Sequence, residues 1–524
     1  MKYSVFTDTD WIYPDTPHNG NTRLALLLPA GGHCGAQILG EAPSAPVHLT
    51  FTWLQNVSGL SARLFYLLPV GVNENTDCKF MTTADYDRCR EFVTRKAPFE
   101  VYDALLPIED SAFAEGHTFA KRLALYLCVE ADGSAPPGSY TGELCILDGA
   151  DETKISLQCR VSSAKVPPLS SCRLGMLNFF AYDNLAAQHH VEKAGSEYWR
   201  LFEAYVKAQI EMRCTHILLP PGEAVFKDGK LAGFDFSMAE RAGQIARSAG
   251  AKWLCGGPVA HWHDWEDAEY YPEWDTRTGV TTQEGYLQLR LYFTGWASVI
   301  ERNRWNHCMV QSLADEPQTA NDGTYRILAG IFRRFLPGIP VIDAVETTNL
   351  GGGIDIWVPK QDTYEKWRAE YERLKAAGEE MWFYTCAFPA GPIMNRSMDL
   401  PLTVSRLLLW MGARYRLSGF LHWGFNYYIG SDIWHSACCP HKGALLPAGD
   451  AHIVYPGKNG PLKSMRFEAQ RAGAEDYELL VQAAEISPEE TDLLIQSVCK
   501  DFRTYTRDGS VLLRARERLL AMLE

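Results

Sequence analysis

Two hydrophobic periods divide the chain. Up to about residue 165 the apolar positions come in short runs without long helical spacing: Thr22–Leu28, Val47–Trp53, Phe119–Val129, Gly142–Leu147 and Ile155–Val161. Turn-forming clusters such as Pro136-Pro137-Gly138-Ser139 and Asp148-Gly149-Ala150-Asp151 separate several of them. Short β-rich runs punctuated this way predict a β-sandwich. Val166-Pro167-Pro168-Leu169 then reads as a linker, because consecutive prolines stop a helix and a central strand alike.

From about 172 onward apolar runs alternate with amphipathic helical stretches, the pattern of a parallel sheet. Eight strands are expected: Leu174–Tyr182, His216–Pro220, Lys252–Gly256, His307–Ala314, Val341–Val345, Asp355–Val358, Met381–Phe388 and Gly419–Phe425. Tyr198–Arg213, Tyr364–Ala377 with Gly378 as its stop, and Thr403–Tyr415 carry helical spacing between them. Eight such units predict a (β/α)8 barrel with its site on the C-terminal rim. One link departs from the pattern: Glu346–Ile354 is too short for a crossover helix. Phe226–Phe236 reads as a hairpin about Asp228-Gly229. The amphipathic run Lys463–Glu485 is expected to close the barrel. The whole is then a multidomain α and β chain: a β-sandwich over 1–168, a (β/α)8 TIM-type barrel over 169–485, and a short helical tail over 486–524.

Chemistry enters at the fourth strand, where Asp315-Glu316 precedes Pro317. Acids at the C-terminal end of a buried parallel strand stand where α/β barrels keep their catalytic groups. Glycosidic cleavage needs a proton for the leaving oxygen and stabilisation of positive charge at the anomeric carbon. The usual two-carboxylate scheme needs acids on opposite faces of the sugar, and sequence neighbours are poorly placed for that. Adjacent acids suit substrate assistance, in which the sugar's own 2-acetamido oxygen attacks the anomeric carbon. One carboxylate would orient the acetamido N–H, and the other would protonate the leaving group and later deprotonate water. Their pKa values should then split, Glu316 staying protonated and Asp315 ionised. Glu346 and Glu223, also near strand ends, keep a conventional second carboxylate open. A geometric demand remains: along a regular strand, residues 315 and 316 would face opposite sides.

Composition narrows the partners. The 524 residues carry a net charge of −14, which disfavours nucleic acid and anionic membrane surfaces. No stretch reaches the roughly 20 apolar residues of a membrane span. No signal-peptide pattern is visible, and the scattered cysteines read as reduced and buried; a cytoplasmic location is expected. A homo-oligomer is compatible with this composition. Rings near strand ends, namely Trp262, Trp357, Tyr384, Trp423 and Tyr427, would as a set wall a sugar subsite. Asn178, His261 and Asn426 are expected to hydrogen-bond sugar hydroxyls, with His263 and His422 behind them. His435–His441 holds four metal-capable side chains, but not at the spacing of paired structural motifs, so neither metal nor other cofactor is expected. Glu475-Asp476-Tyr477 lies on an amphipathic helix and reads as structural. Gly351-Gly352-Gly353 lacks the Lys-Ser/Thr of a phosphate loop.

The segment around Asp315-Glu316 resembles the catalytic strand of family 123 glycoside hydrolases, the β-N-acetylgalactosaminidases. Leu446–Asp450, Val454–Gly457 and Met465–Leu480 resemble that group's most recognisable stretch. Gly419–Gly424, Asp355–Pro359 and Pro137–Gly142 also fit, so the resemblance spans most of the chain. It implies Glu316 as general acid/base, Asp315 as the acetamido-orienting residue, and retaining removal of a terminal β-linked N-acetylhexosamine, N-acetylgalactosamine foremost, from a glycan or glycoconjugate. A glycosidase of other specificity with a conventional second carboxylate is the alternative within enzymes. A non-catalytic glycan-binding protein is the alternative outside them.

Overall fold

The computed structural model describes residues 2–44, 47–110, 122–428, 430 and 432–524. It gathers the chain into two compact units. One joins Met1–Arg173, Ala387–Tyr415 and Asn426–Glu524, and the other joins Leu174–Cys386 and Arg416–Phe425.

The longer strands of the first unit are β1 (Tyr3–Thr7), β2 (Leu24–Ala30), β3 (His33–Gly40), β4 (Val47–Trp53), β5 (Leu60–Val72), β6 (Phe99–Pro107), β7 (Ala124–Ala131), β8 (Gly138–Asp148) and β9 (Asp151–Lys165). An antiparallel sheet runs β1-β3-β7-β5-β6 and is extended by Pro461–Ser464 and Tyr455–Pro456; a second, mixed sheet runs β2-β9-β8-β4, with β2 parallel to β9. The second sheet alternates as a one-faced sheet should, burying Leu144, Ile146, Ile155, Leu157, Cys159 and Val161 in one core with Ala36, Ile38, Leu64 and Leu68 of the first. This is the expected sandwich. The first sheet also buries its other face: Leu39, Phe65, Leu67, Leu105 and Tyr126 share a core with Met465 and Ala469 of the helix Met465–Ile486. Of the expected run Phe119–Val129, Phe119, Ala120 and Lys121 lie outside the described residues.

That helix was expected to close the barrel over 169–485. In space it belongs to the first unit, where it packs beside Thr403–Arg414. Asp476 at its centre accepts hydrogen bonds from Arg406 Nε (2.6 Å), Arg516 Nε (3.1 Å) and Trp410 Nε1 (2.9 Å). Its neighbour Glu475 accepts from the His33 backbone N–H at 3.0 Å. The acidic run of this helix is structural, as its amphipathic setting suggested.

The second unit is the barrel. Its strands are β10 (Gly175–Asn178), β11 (His216–Leu219), β12 (Trp253–Gly256), β13 (Met309–Gln311), β14 (Ile342–Val345), β15 (Ile356–Pro359), β16 (Glu380–Tyr384) and β17 (Gly419–His422). All are parallel and each neighbours the next in sequence; β17 pairs with β10, and a bridge between Gln311 and Val341 joins β13 to β14. Leu177, Leu218, Cys255, Val310, Ile342, Ala344, Ile356, Val358, Trp382, Tyr384 and Leu421 fill one core. The connecting helices are α1 (Tyr182–His189), α2 (Ser196–Glu211), α3 (Ser237–Ala249), α4 (Gln283–Arg302), α5 (Asp322–Phe335), α6 (Gln361–Lys366) and α7 (Arg368–Ala376). Thr282 caps α4 by accepting the Gly285 N–H at 3.0 Å. Gly378 follows α7 with φ +99°, the left-handed stop its position suggested. Between β14 and β15 there is no helix. The chain turns through Gly352 (φ +78°) and re-enters the sheet, so both strand assignments stand and the barrel is irregular there. Among the described residues, no helix is long and apolar enough to cross a membrane.

Candidate active site

The rim is built where β13 stops. Regular pairing ends at Gln311, and only a bridge from Ala314 to Ala260 continues it. What replaces the ladder is Asp343, a fully buried acid within β14. Its carboxylate accepts from Ser312 Oγ (2.5 Å), the Leu313 N–H (2.9 Å) and Tyr325 OH (2.5 Å). The segment 312–314 is thus clamped in a non-strand path, and Glu316 completes the turn with φ +45°. A left-handed backbone at a non-glycine residue is uncommon and is sustained by its surroundings. Strand alternation therefore does not reach residues 315 and 316, and the opposite facing that a regular strand would impose does not apply to them.

Asp315 stays open to solvent and Glu316 is half-buried, yet protein crowds both carboxyls. That crowding, with the Asp343 and Glu273 charges added, pushes the Asp315 pKa up to about 6. Burial followed by the Asp315 charge pushes Glu316 up to about 7, against the opposing pull of Tyr384 and Lys360. Glu316 senses the Asp315 charge, so the protonation of one bears on that of the other.

Three further strand ends supply the partners of Glu316. Tyr384, the last residue of β16, hydrogen-bonds Glu316 Oε1 and also lies 3.1 Å from Glu346 Oε1. Glu346, just after β14, is ion-paired with Lys360, just after β15, and accepts from Thr363 Oγ1 at the start of α6. For Lys360 burial disfavours the charge, but Glu346 more than offsets it and the ammonium pKa is raised. On the Asp315 side, Trp262 Nε1 donates to the Asp315 carbonyl at 3.1 Å. Beside it stands Trp265, edge-on to Trp262 with ring centres 5.6 Å apart and 46% exposed. His261 sits in the same loop, 3.7 Å from Glu273, whose pKa burial raises.

The structure thus gathers Asp315, Glu316, Tyr384, Trp262 and His261. Trp423 is half-buried beyond β17, beside His422, whose Nδ1 accepts the Gly424 N–H at 3.1 Å. Trp357 is elsewhere. In β15 Ile356 and Val358 point into the barrel, so Trp357 points outward, fully buried against Tyr371 with its N–H on Glu379. Asn178 is likewise fully buried, its amide 3.4 Å from Cys214 Sγ, because its neighbour Leu177 takes the inward position. Neither reaches the rim as expected. Asn426 and Tyr427 fall in the first unit: Asn426 is buried and bridges His452, and Tyr427 is 38% exposed. Glu223 lies on the exposed hairpin Glu223–Asp235, 3.6 Å from Lys193. In the loop 435–441, His435 pairs with Asp432 and Cys438 is buried toward the Glu74 carbonyl. Among the described residues no cluster of His, Cys, Asp and Glu could hold a metal ion.

Lys360, Asp343, Thr363 and Glu273 were not singled out from the sequence. Lys360 directly follows a strand and Asp343 interrupts an apolar one, which are usable signals. Glu273, in an irregular loop, has none.

The fold recurs in a known protein. The model of the glycoside hydrolase 123 catalytic domain matches residues 180–483. A solved family 123 glycoside hydrolase from Clostridium perfringens superposes with a TM-score of 0.72 at 11% identity, covering 100% of this chain and 97% of that one. An endo-β-1,4-mannanase from Thermotoga petrophila gives 0.38 at 11% identity, over 60% of this chain and 78% of that one. A β-galactosidase from Marinomonas ef1 gives 0.39 at 9%, over 61% of each. No curated protein matches in sequence. With more than half of its length matched by the family model, the chain belongs to glycoside hydrolase family 123.

Proposed function

We propose that this glycoside hydrolase removes a terminal β-linked N-acetylhexosamine, N-acetylgalactosamine foremost, by a retaining, substrate-assisted mechanism. The observation that carries the reading is the acid pair itself: two sequence neighbours at one strand end, set in a turn, with burial and the Asp315 charge raising the pKa of Glu316. The conventional alternative needs a second carboxylate free to attack. Glu346, the rim acid nearest to that role, already meets Lys360, Thr363 and Tyr384, and Glu223 lies on an exposed hairpin.

In the first step the acetamido carbonyl oxygen bonds to the anomeric carbon. The glycosidic bond breaks with its electron pair going to the leaving oxygen, which takes the Glu316 proton. Asp315 as carboxylate accepts from the acetamido N–H and balances the positive charge of the oxazolinium ring. In the second step water attacks the anomeric carbon, the ring opens, and Glu316 takes the water proton. The configuration is inverted twice and so retained. Glu316 with the higher pKa and Asp315 with the lower suits this division of roles. The half-buried Trp262 and the exposed Trp265 give apolar faces for sugar rings.

The test is a panel of chromogenic β-linked GalNAc, GlcNAc, Gal and Glc substrates with wild type, Glu316→Gln and Asp315→Asn. Turnover confined to the 2-acetamido sugars, and a drop of about 10²-fold or more in both variants, is the expected result. Comparable rates on β-galactoside or β-glucoside would sink substrate assistance. Binding without turnover on any glycoside would favour a glycan-binding protein. A glycolipid glycan belongs in the panel, since the Clostridium perfringens enzyme is described for glycolipid glycan hydrolysis.

A further inference from the structure

We infer that Tyr384 is a two-position hydrogen-bond donor that serves Glu316 in both its acid and its base state, with Glu346 and Lys360 holding the alternative position. The inference rests on Glu316 being the acid/base of the proposed reaction, and adds positioning residues to it.

Tyr384 is 4% exposed and its hydroxyl has two carboxylate acceptors, Glu316 Oε1 and Glu346 Oε1, the latter at 3.1 Å. A phenol carries one hydrogen, so it serves one acceptor at a time. Burial and the surrounding acids keep that phenol protonated. Two carboxylates beside one hydroxyl leave an unmet acceptor unless something else satisfies it. Lys360 and Thr363 do so for Glu346, on Oε1 and Oε2 respectively. Both oxygens of Glu346 therefore keep a donor whether or not it receives the tyrosine hydrogen.

Glu316 differs, since the reaction requires it protonated before bond cleavage and ionised after. While it holds its own proton, Tyr384 donates to Glu346. Once that proton has gone to the leaving oxygen, the tyrosine O–H turns to Glu316 and stabilises the new carboxylate. When Glu316 takes the water proton, the hydroxyl returns. No covalent bond of Tyr384 changes; only the direction of its O–H does. The groups that set the Glu316 proton are Asp315 and Glu346, which raise its affinity, and Lys360 and Tyr384, which lower it; Tyr270 also senses the Glu316 charge.

The signs of these influences make the test. The upper pH limb of kcat/KM, measured on the glycoside turned over fastest, reports loss of the Glu316 proton. Tyr384→Phe removes a donor to the carboxylate and should move that limb to higher pH, with kcat down about tenfold or more and KM little changed. Lys360→Met removes a cation and should move it the same way. Glu346→Gln removes a like charge and frees the tyrosine hydrogen for Glu316, so its limb should move to lower pH. Shifts of about half a pH unit or more, opposite in sign between Glu346→Gln and the other two, are expected. Should Tyr384→Phe fold poorly, the isosteric Glu346→Gln against Lys360→Met still carries the sign test. Limbs that stay fixed, or that all move one way, would overturn the two-position donor while leaving the acid/base role of Glu316 intact. If Glu316→Gln kept wild-type turnover, the underlying reading and this inference would fall together.

Discussion

Asp343 shows how one residue can shape a site it does not enter. Buried beneath the acid pair, it accepts from Ser312, Tyr325 and the backbone of Leu313, and so diverts the chain from strand geometry before residue 315. Its own pKa is pushed up to about 7 by burial, against the pull of those donors. An amide at this position keeps the shape but turns one acceptor into a donor. Asp343→Asn is therefore expected to lower kcat on the order of 10²-fold with a smaller change in KM, because a displacement of about 1 Å in a catalytic group has that effect. Steady-state kinetics check this; an unchanged kcat would show that the turn at 312–316 holds itself. Asp315 and Glu316 were legible because adjacent acids before a proline at a strand end are a local pattern. Asp343 and Lys360 each carry a positional signal, an acid inside an apolar strand and a lysine just after one, but their roles were not legible because what they do depends on a neighbouring strand.

At the scale of elements, the barrel depends on a pair of glycines opposite a tryptophan. Gly175, Gly419 and Trp382 stand side by side on β10, β17 and β16. The indole lies across both glycines, and a Cβ at Gly419 would come within 2.1 Å of it and one at Gly175 within 2.0 Å. His216 packs edge-on against the same indole, ring centres 5.0 Å apart. Gly419→Ala is thus expected to destabilise the protein by about 1–3 kcal/mol through overpacking. In chemical denaturation the double variant with Trp382→Phe should lose less than the two single losses summed, since a smaller ring makes room. Additive losses would mean that the clash is relieved elsewhere. The eight barrel strands were legible despite such detail, because each is an apolar run bounded by polar or turn residues. β3 was not: all eight of its residues are buried, so a period-two reading finds no alternation. The outward turn of Trp357 was hidden for the same reason, since Ile356–Pro359 is buried on both faces. The missing helix between β14 and β15, by contrast, follows from length alone.

For the molecule as a whole, the question is whether acid stops the enzyme by titrating its site or by unfolding it. Asp315, Glu316 and Asp343 have raised pKa values, so the folded state holds protons that the unfolded chain lacks between about pH 7 and 4. Acidification through that range favours folding at these groups. Burial lowers His189 to about 4 and His216 to about 3, and holds His452 well below its usual range. There the unfolded chain takes up protons first, and acidification below about pH 6.5 favours unfolding. The two sets oppose each other between pH 7 and 5. Asp476 acts only lower down. Burial works against its charge, but Arg406 and Arg516 more than offset it and its pKa is lowered. Its stabilisation is therefore complete above the ordinary aspartate pKa and is lost as pH falls through the lowered value. Activity should accordingly fall as Asp315 takes up its proton below about pH 6, while the melting midpoint changes little between pH 7 and 5 and drops steeply only below about 4. Enzyme held at pH 5 and returned to pH 6.5 should regain full turnover at once. A loss of activity that tracks loss of fold across pH 6 to 5, or that does not reverse, would place the acid limit in the scaffold instead of in Asp315.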